Sequence, residues 1–186
     1  MIKYFIYLTA VLSIIACSHR ITPSTTPYTN TEVQDNGETI LIGHCSLHML
    51  QKENYKQWYN FSFNSYRIDS ATTNQLKPLL KNKTMQIFLG SWCDDSKREV
   101  PRMLKILNYA GFDTTHIQLI CVNHAKQSPQ HEEQGKHITN VPTFIIYNHK
   151  KEMGRIIESP KLSLEKDLLT ILQSRNNHTK KIAQSL

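Results

Sequence analysis

The chain has 186 residues, enough for one domain with a full core, and 39% of them are hydrophobic. Its formal charge of +7 is spread along the chain, and the basic residues Lys150, Lys151, Lys180 and Lys181 read as solvated surface. Basic patches interleaved with aromatic residues are absent, so nucleic acid is excluded as the expected partner. The charge leaves a weak preference for acidic proteins or anionic headgroups.

Residues 1–16 carry Lys3 and then an apolar run from Phe5 to Ala16, broken by Thr9 and Ser13. The run is too short to span a bilayer and has the form of a secretory signal peptide. Ile14-Ile15-Ala16-Cys17 resembles a bacterial lipobox. That resemblance implies that Cys17 is acylated, becomes the first residue of the mature protein and anchors it to a membrane. The other reading is an ordinary signal peptide or an uncleaved anchor. Ser18 is not the aspartate that retains lipoproteins at the inner membrane in some bacteria. The expected location is therefore the cell envelope, at the outer membrane facing the periplasm. Residues 17–38 are rich in Thr, Ser, Pro and Asn and read as a flexible tether.

Thr39–Ile42 reads as a strand, followed by an amphipathic segment with Leu47, Leu50 and Tyr55 and then the aromatics Trp58, Tyr59, Phe61 and Phe63. Residues 39–64 are expected to form an extension packed on one edge or face of the main sheet; a peptide-binding aromatic groove is the sharper alternative. Tyr66–Asp69 reads as a short first core strand, and Leu76, Leu79 and Leu80 mark a helix. Met85–Leu89 is a buried strand by length and composition. Gly90-Ser91 interrupts it, and Val100, Met103, Leu104 and Leu107 then share one helix face.

Gly111 is a natural stop for that helix. Ile117–Val122 is the next strand, and residues 123–140, with His124, His131 and His137, read as a loop with a short helix. Thr143–Tyr147 and Glu152–Ile157 form a hairpin. Ser159-Pro160 suits the start of a last helix striped by Leu164, Leu168, Ile171 and Leu172, and residues 175–186 read as a polar tail.

Cys93 falls where a strand passes into a helix, where free backbone N–H groups and the helix dipole favour a thiolate. Trp92-Cys93-Asp94-Asp95-Ser96 resembles the active-site turn of the thioredoxin superfamily, with serine in place of the second cysteine. Pro101 lies where thioredoxins kink this helix, and Val141-Pro142-Thr143 is similar to their cis-proline loop. The resemblance runs from about Tyr66 to Ser174. It is strongest to bacterial envelope thioredoxin-like lipoproteins reading Trp-Cys-x-Asp-Ser-Lys-Arg-Glu-Val-Pro. It implies an α/β, thioredoxin-like fold: a central mixed sheet with helices on both faces, the domain spanning residues 65–174. It also implies that Trp92 shapes the rim of the site and that Val141, Pro142 and Thr143 bind the substrate. No cofactor is implied.

With Cys17 lipidated, three thiols remain. Cys121, mid-strand, is expected to be an inert core thiol. Cys45, beside His44 and His48, is a packed residue or a resolving thiol for Cys93; a metal site there lacks a fourth ligand at familiar spacing. Ser96 offers a hydroxyl to stabilise the Cys93 thiolate, and Lys97 or Arg98 would help by folding back, whereas Asp94 and Asp95 oppose it.

A dithiol oxidoreductase releases its product when the second cysteine attacks the mixed disulfide, and serine cannot do so. Six residues before the nucleophile, where many dithiol thioredoxins carry a buried acid, stands Ile87. Two classes of function follow. One is a monothiol thiol–disulfide oxidoreductase acting through Cys93 on protein thiols or disulfides of the envelope. The other is a binding module that captures client proteins in the cis-proline groove without turnover. A bridged iron–sulfur cluster is a weak third, because the Cys-Gly-Phe-Ser turn of cluster-binding monothiol glutaredoxins is absent.

Overall fold

A computed structural model describes residue 27 and residues 29–183. The expected signal peptide and Cys17 lie outside the described residues. The elements, in order, are β1 (Thr31–Asp35), β2 (Glu38–Cys45), α1 (Glu53–Ser65), α2 (Ser70–Leu79), β3 (Lys83–Leu89), α3 (Asp94–Tyr109), β4 (Ile117–Cys121), β5 (Thr143–Asn148), β6 (Lys151–Ile157) and α4 (Leu164–Ala183).

The six strands form one mixed sheet in the order β1-β2-β4-β3-β5-β6. β3 runs parallel to β4 through the α3 crossover and antiparallel to β5, which turns back into β6. This is the expected α/β arrangement, a central mixed sheet flanked by helices, built around β3 and α3.

Alternation along the strands divides the sheet into two faces. Met85, Ile87 and Leu89 of β3, Leu119 and Cys121 of β4 and Phe144 and Ile146 of β5 point into one large core, to which all four helices contribute buried residues. Phe88, Ile120, Val122, Val141 and Ile145 form a smaller cluster on the other face, where Ile138 of the 123–142 loop also packs. Helices on both faces were expected; they stand on one. The reason lies in residues 123–142, which make turns and no helix.

The beginning of the domain also differs from expectation. Tyr66–Asp69 is a connector between α1 and α2, where the Tyr66 hydroxyl and the Asp69 N–H both donate to the buried Glu165, at 2.8 and 3.1 Å. β2 takes the place beside β4 and runs antiparallel to it. Residues 31–38, expected within the tether, form β1 and a turn in which Asn36 and Gly37 have φ of +51° and +82°. Two consecutive left-handed residues make a type I′ hairpin turn, which Asn-Gly accommodates readily.

Residues 39–64 therefore enter the sheet through β2 and pack through α1, whose main helical neighbour is α3. Tyr55 and Tyr59 are buried in the core and Trp58 and Phe63 lie against it, while Phe61 faces solvent. α3 ends at Gly111 (φ +73°), with Phe112 N–H donating to Leu107 and Gly111 N–H to Asn108. That is the Schellman pattern. α4 is capped by Ser163, whose hydroxyl accepts from Lys166 N–H at 3.2 Å, and not by Ser159-Pro160. It runs on to Ala183, through most of the expected tail.

Candidate functional site

Gly90-Ser91-Trp92-Cys93 joins β3 to α3, and Cys93 is the N-cap of that helix, in extended conformation. Phe88 of β3 pairs with Thr143 of β5, so the loop entering β5 lies beside the turn. The Val141–Pro142 peptide is cis. The Cys93 thiol, half-buried, donates to the Val141 carbonyl at 3.1 Å. Three of the residues singled out in the sequence (Cys93, Val141 and Pro142) are thus brought together, and Thr143 is fixed next to them by its hydroxyl bond to Asn140 O at 2.7 Å.

The indole of Trp92 folds back over Gly90, where a Cβ would stand 2.5 Å from the ring. Its Nε1–H donates to Val122 O at 2.9 Å. The other side of the site was not anticipated. His124 stacks on Trp92 with ring centroids 4.2 Å apart and planes 22° apart, and the Lys126 ammonium sits 5.7 Å from the Trp92 ring. Asp35 of β1 holds His124 twice, accepting from its backbone N–H at 3.0 Å and contacting Nδ1 at 2.7 Å. These bonds, the backbone one first, hold the Asp35 carboxyl below its usual range. β2 is tied in as well, because Leu41 N–H donates to Ser91 Oγ at 2.9 Å.

Ser96 is fully buried, and its Oγ accepts from Gly90 N–H at 3.2 Å. It braces the turn and makes no hydrogen bond to Cys93. Lys97 and Arg98, either of which would have helped by folding back toward the sulfur, pair instead with Asp94 and Asp95 one turn away. Arg98 also binds the buried Glu99 at 2.6 Å and Ser159 Oγ at 2.9 Å, and Arg102 donates to Glu99 at 3.0 Å. The acids next to Cys93 are thus neutralised within their own helix.

Cys45 does not lie beside Cys93. It is buried on the helical face of β2, opposite Leu119, whereas Cys93 packs on the other face of the sheet. His44 and Cys45 point to opposite faces, and among the described residues no three His, Cys, Asp or Glu side chains converge on a metal position. Two grooves lie elsewhere. One of about 240 Å³ is lined by Gln86, Gln118, Tyr147 and Lys136, and one of about 590 Å³ by Ile156, Ile157, Leu162 and Ile171.

No family model matches the chain, and no curated protein matches it. Among solved structures, it is similar to a protein of unknown function from Pseudomonas aeruginosa. The identity is 13% and the TM-score 0.51, over 67% of this chain and 87% of that one. Mitochondrial thioredoxin 3 from Saccharomyces cerevisiae, in its oxidised form, aligns at 22% identity and TM-score 0.34, over 57% of this chain and 96% of that one. The first likeness is one of fold.

Proposed function

We propose that the protein is a monothiol thiol–disulfide oxidoreductase that works through a mixed disulfide at Cys93. One observation carries this reading: the half-buried Cys93 sulfur faces Val141 and Pro142, while Ser96 at the resolving position is turned to Gly90 N–H. The Cys93 thiolate attacks one sulfur of a substrate disulfide, forms the mixed disulfide and releases the other sulfur as a thiolate. An external thiol then attacks that mixed disulfide, takes the substrate sulfur and returns Cys93. The backbone beside Pro142, with Val141 and Thr143 on either side, would hold the substrate as an added strand, and Trp92, clamped by Val122 and His124, forms the rim.

Acylation at Cys17 would hold this domain at the envelope, at the outer membrane facing the periplasm, where protein thiols and disulfides are its substrates. The lipobox-like Ile14-Ile15-Ala16-Cys17 supports that placement. A second reading, capture of client proteins without turnover, is favoured by the absence of any sulfur next to Cys93 among the described residues. Reduction of a peptide disulfide with reduced glutathione in excess separates the two. The enzyme reading expects repeated turnover that is lost in Cys93→Ser, and one equivalent of trapped peptide with no turnover contradicts it.

A further inference from the structure

The two remaining described cysteines, neither part of the Cys93 turn, lie on neighbouring strands and on the same face of the sheet. Cys45 on β2 and Cys121 on β4 lie in the same core, 1% and 0% exposed. β2 and β4 pair over Gly43–Cys45 against Cys121–Leu119, with Gly43 opposite Cys121. Cys45 is therefore diagonal to Cys121 on one face of the sheet. The Cys45 thiol turns back along its own strand to the carbonyl of Gly43, at 3.4 Å, and Gly43 is the residue opposite Cys121. Gly43 contributes no side chain at that level. The contact with Cys45 is also the main reason why the Cys121 thiol is pushed up, ahead of burial.

We propose that Cys45 and Cys121 are a dithiol that closes to an intramolecular disulfide, pinning β2 to β4. A low-molecular-weight disulfide is the oxidant. During refolding, before β2 docks on β4 and buries both thiols, the Cys45 thiolate attacks one sulfur of the oxidant, forming a mixed disulfide and releasing one thiolate. The Cys121 thiolate then attacks the Cys45 sulfur, forming the Cys45–Cys121 bond and releasing the second. The two protons lost by the cysteines end on the two thiols released, so one oxidant disulfide is consumed for each bond formed.

The bond would act on the site without touching it. β2 braces the active turn through Leu41 N–H and Ser91 Oγ, and Cys121 immediately precedes Val122, the acceptor for the Trp92 indole. The β2–β4 ladder is short, so a covalent link there fixes both supports. The pair is independent of Cys93, and either reading survives failure of the other.

The test is peptide mapping of the full chain carrying Cys93→Ser, refolded in a buffer of reduced and oxidised glutathione and then alkylated. Cys17, Cys45 and Cys121 fall in different tryptic peptides, so each pairing is distinguishable. The expected product is the Cys45 peptide linked to the Cys121 peptide. The loop it closes is long, so Tm should stand about 5–15 °C above that of the reduced chain. Wild type should give the same linked peptide. Full alkylation of both cysteines after this treatment overturns the proposal, as does either one linked to Cys17 or to glutathione instead.

Discussion

Trp92 and His124 lie nearly parallel, their ring centroids 4.2 Å apart, and this stack joins the Cys93 turn to a strand that begins more than fifty residues earlier. The link runs from Trp92 to His124 to Asp35 on β1, so the hairpin of β1 and β2 is part of the site's wall. Replacing His124 with Ala should free one face of the indole. A red shift of Trp92 fluorescence, read in a Trp58→Phe background, is the expected result; an unchanged spectrum would mean that Val122 alone holds the ring.

Asp35 sets the pH dependence of that link. Its native pKa is depressed by the His124 backbone N–H and then by the ring, so the stabilisation is fully present above the ordinary value of 3.8. It fades as pH falls through the still lower native value. The Trp92 fluorescence should therefore show an acid transition below about pH 4. In Asp35→Asn that acid transition should disappear, with the His124→Ala spectrum approached already at neutral pH.

Gly90 is glycine because the Trp92 indole occupies the space of a Cβ, 2.5 Å from its position. The ring is held by Val122 O and His124 and cannot swing aside without losing both. Gly90→Ala should destabilise the fold by about 1–3 kcal/mol in urea unfolding and should alter Trp92 emission as well. A loss of stability with unchanged emission would place the strain elsewhere.

Ser96 and Glu99 are buried polar groups with different partners. Ser96→Ala leaves Gly90 N–H without an acceptor, at a cost of about 1–3 kcal/mol. Glu99→Gln removes the charge shared by Arg98 and Arg102. Breaking a fully buried pair costs about 3–5 kcal/mol. Arg98 and Arg102 are 39% and 29% exposed, which lowers the expectation to about 1–3 kcal/mol. Urea denaturation of both variants checks these values.

The features carried by local pattern were legible. The β3–turn–α3 unit, the Gly111 stop, the β5–β6 hairpin and the pairing of Cys93 with the Pro142 loop all follow from neighbouring residues or from a motif. Asn36-Gly37 was a strong hairpin signal, hidden in a polar stretch that composition alone assigns to a tether. What local pattern did not carry was long-range. Glu165 draws Tyr66 and Asp69 out of a strand, and Asp35 claims His124 across the sheet. The packing of all four helices on one face depends on a loop whose lack of a helix no periodicity announces. Ser96 is a further case: its position matched the motif, but its hydroxyl serves Gly90.

Intact-protein mass spectrometry after exposure to oxidised glutathione addresses the central claim most directly. Comparing wild type with Cys93→Ser, each followed by peptide mapping, identifies the sulfur that reacts. The account predicts one glutathione on Cys93, stable until reduced glutathione is added because no neighbouring sulfur displaces it, and no such adduct in the variant. An unreactive Cys93, or a Cys93 that passes at once into an intramolecular disulfide, would contradict it.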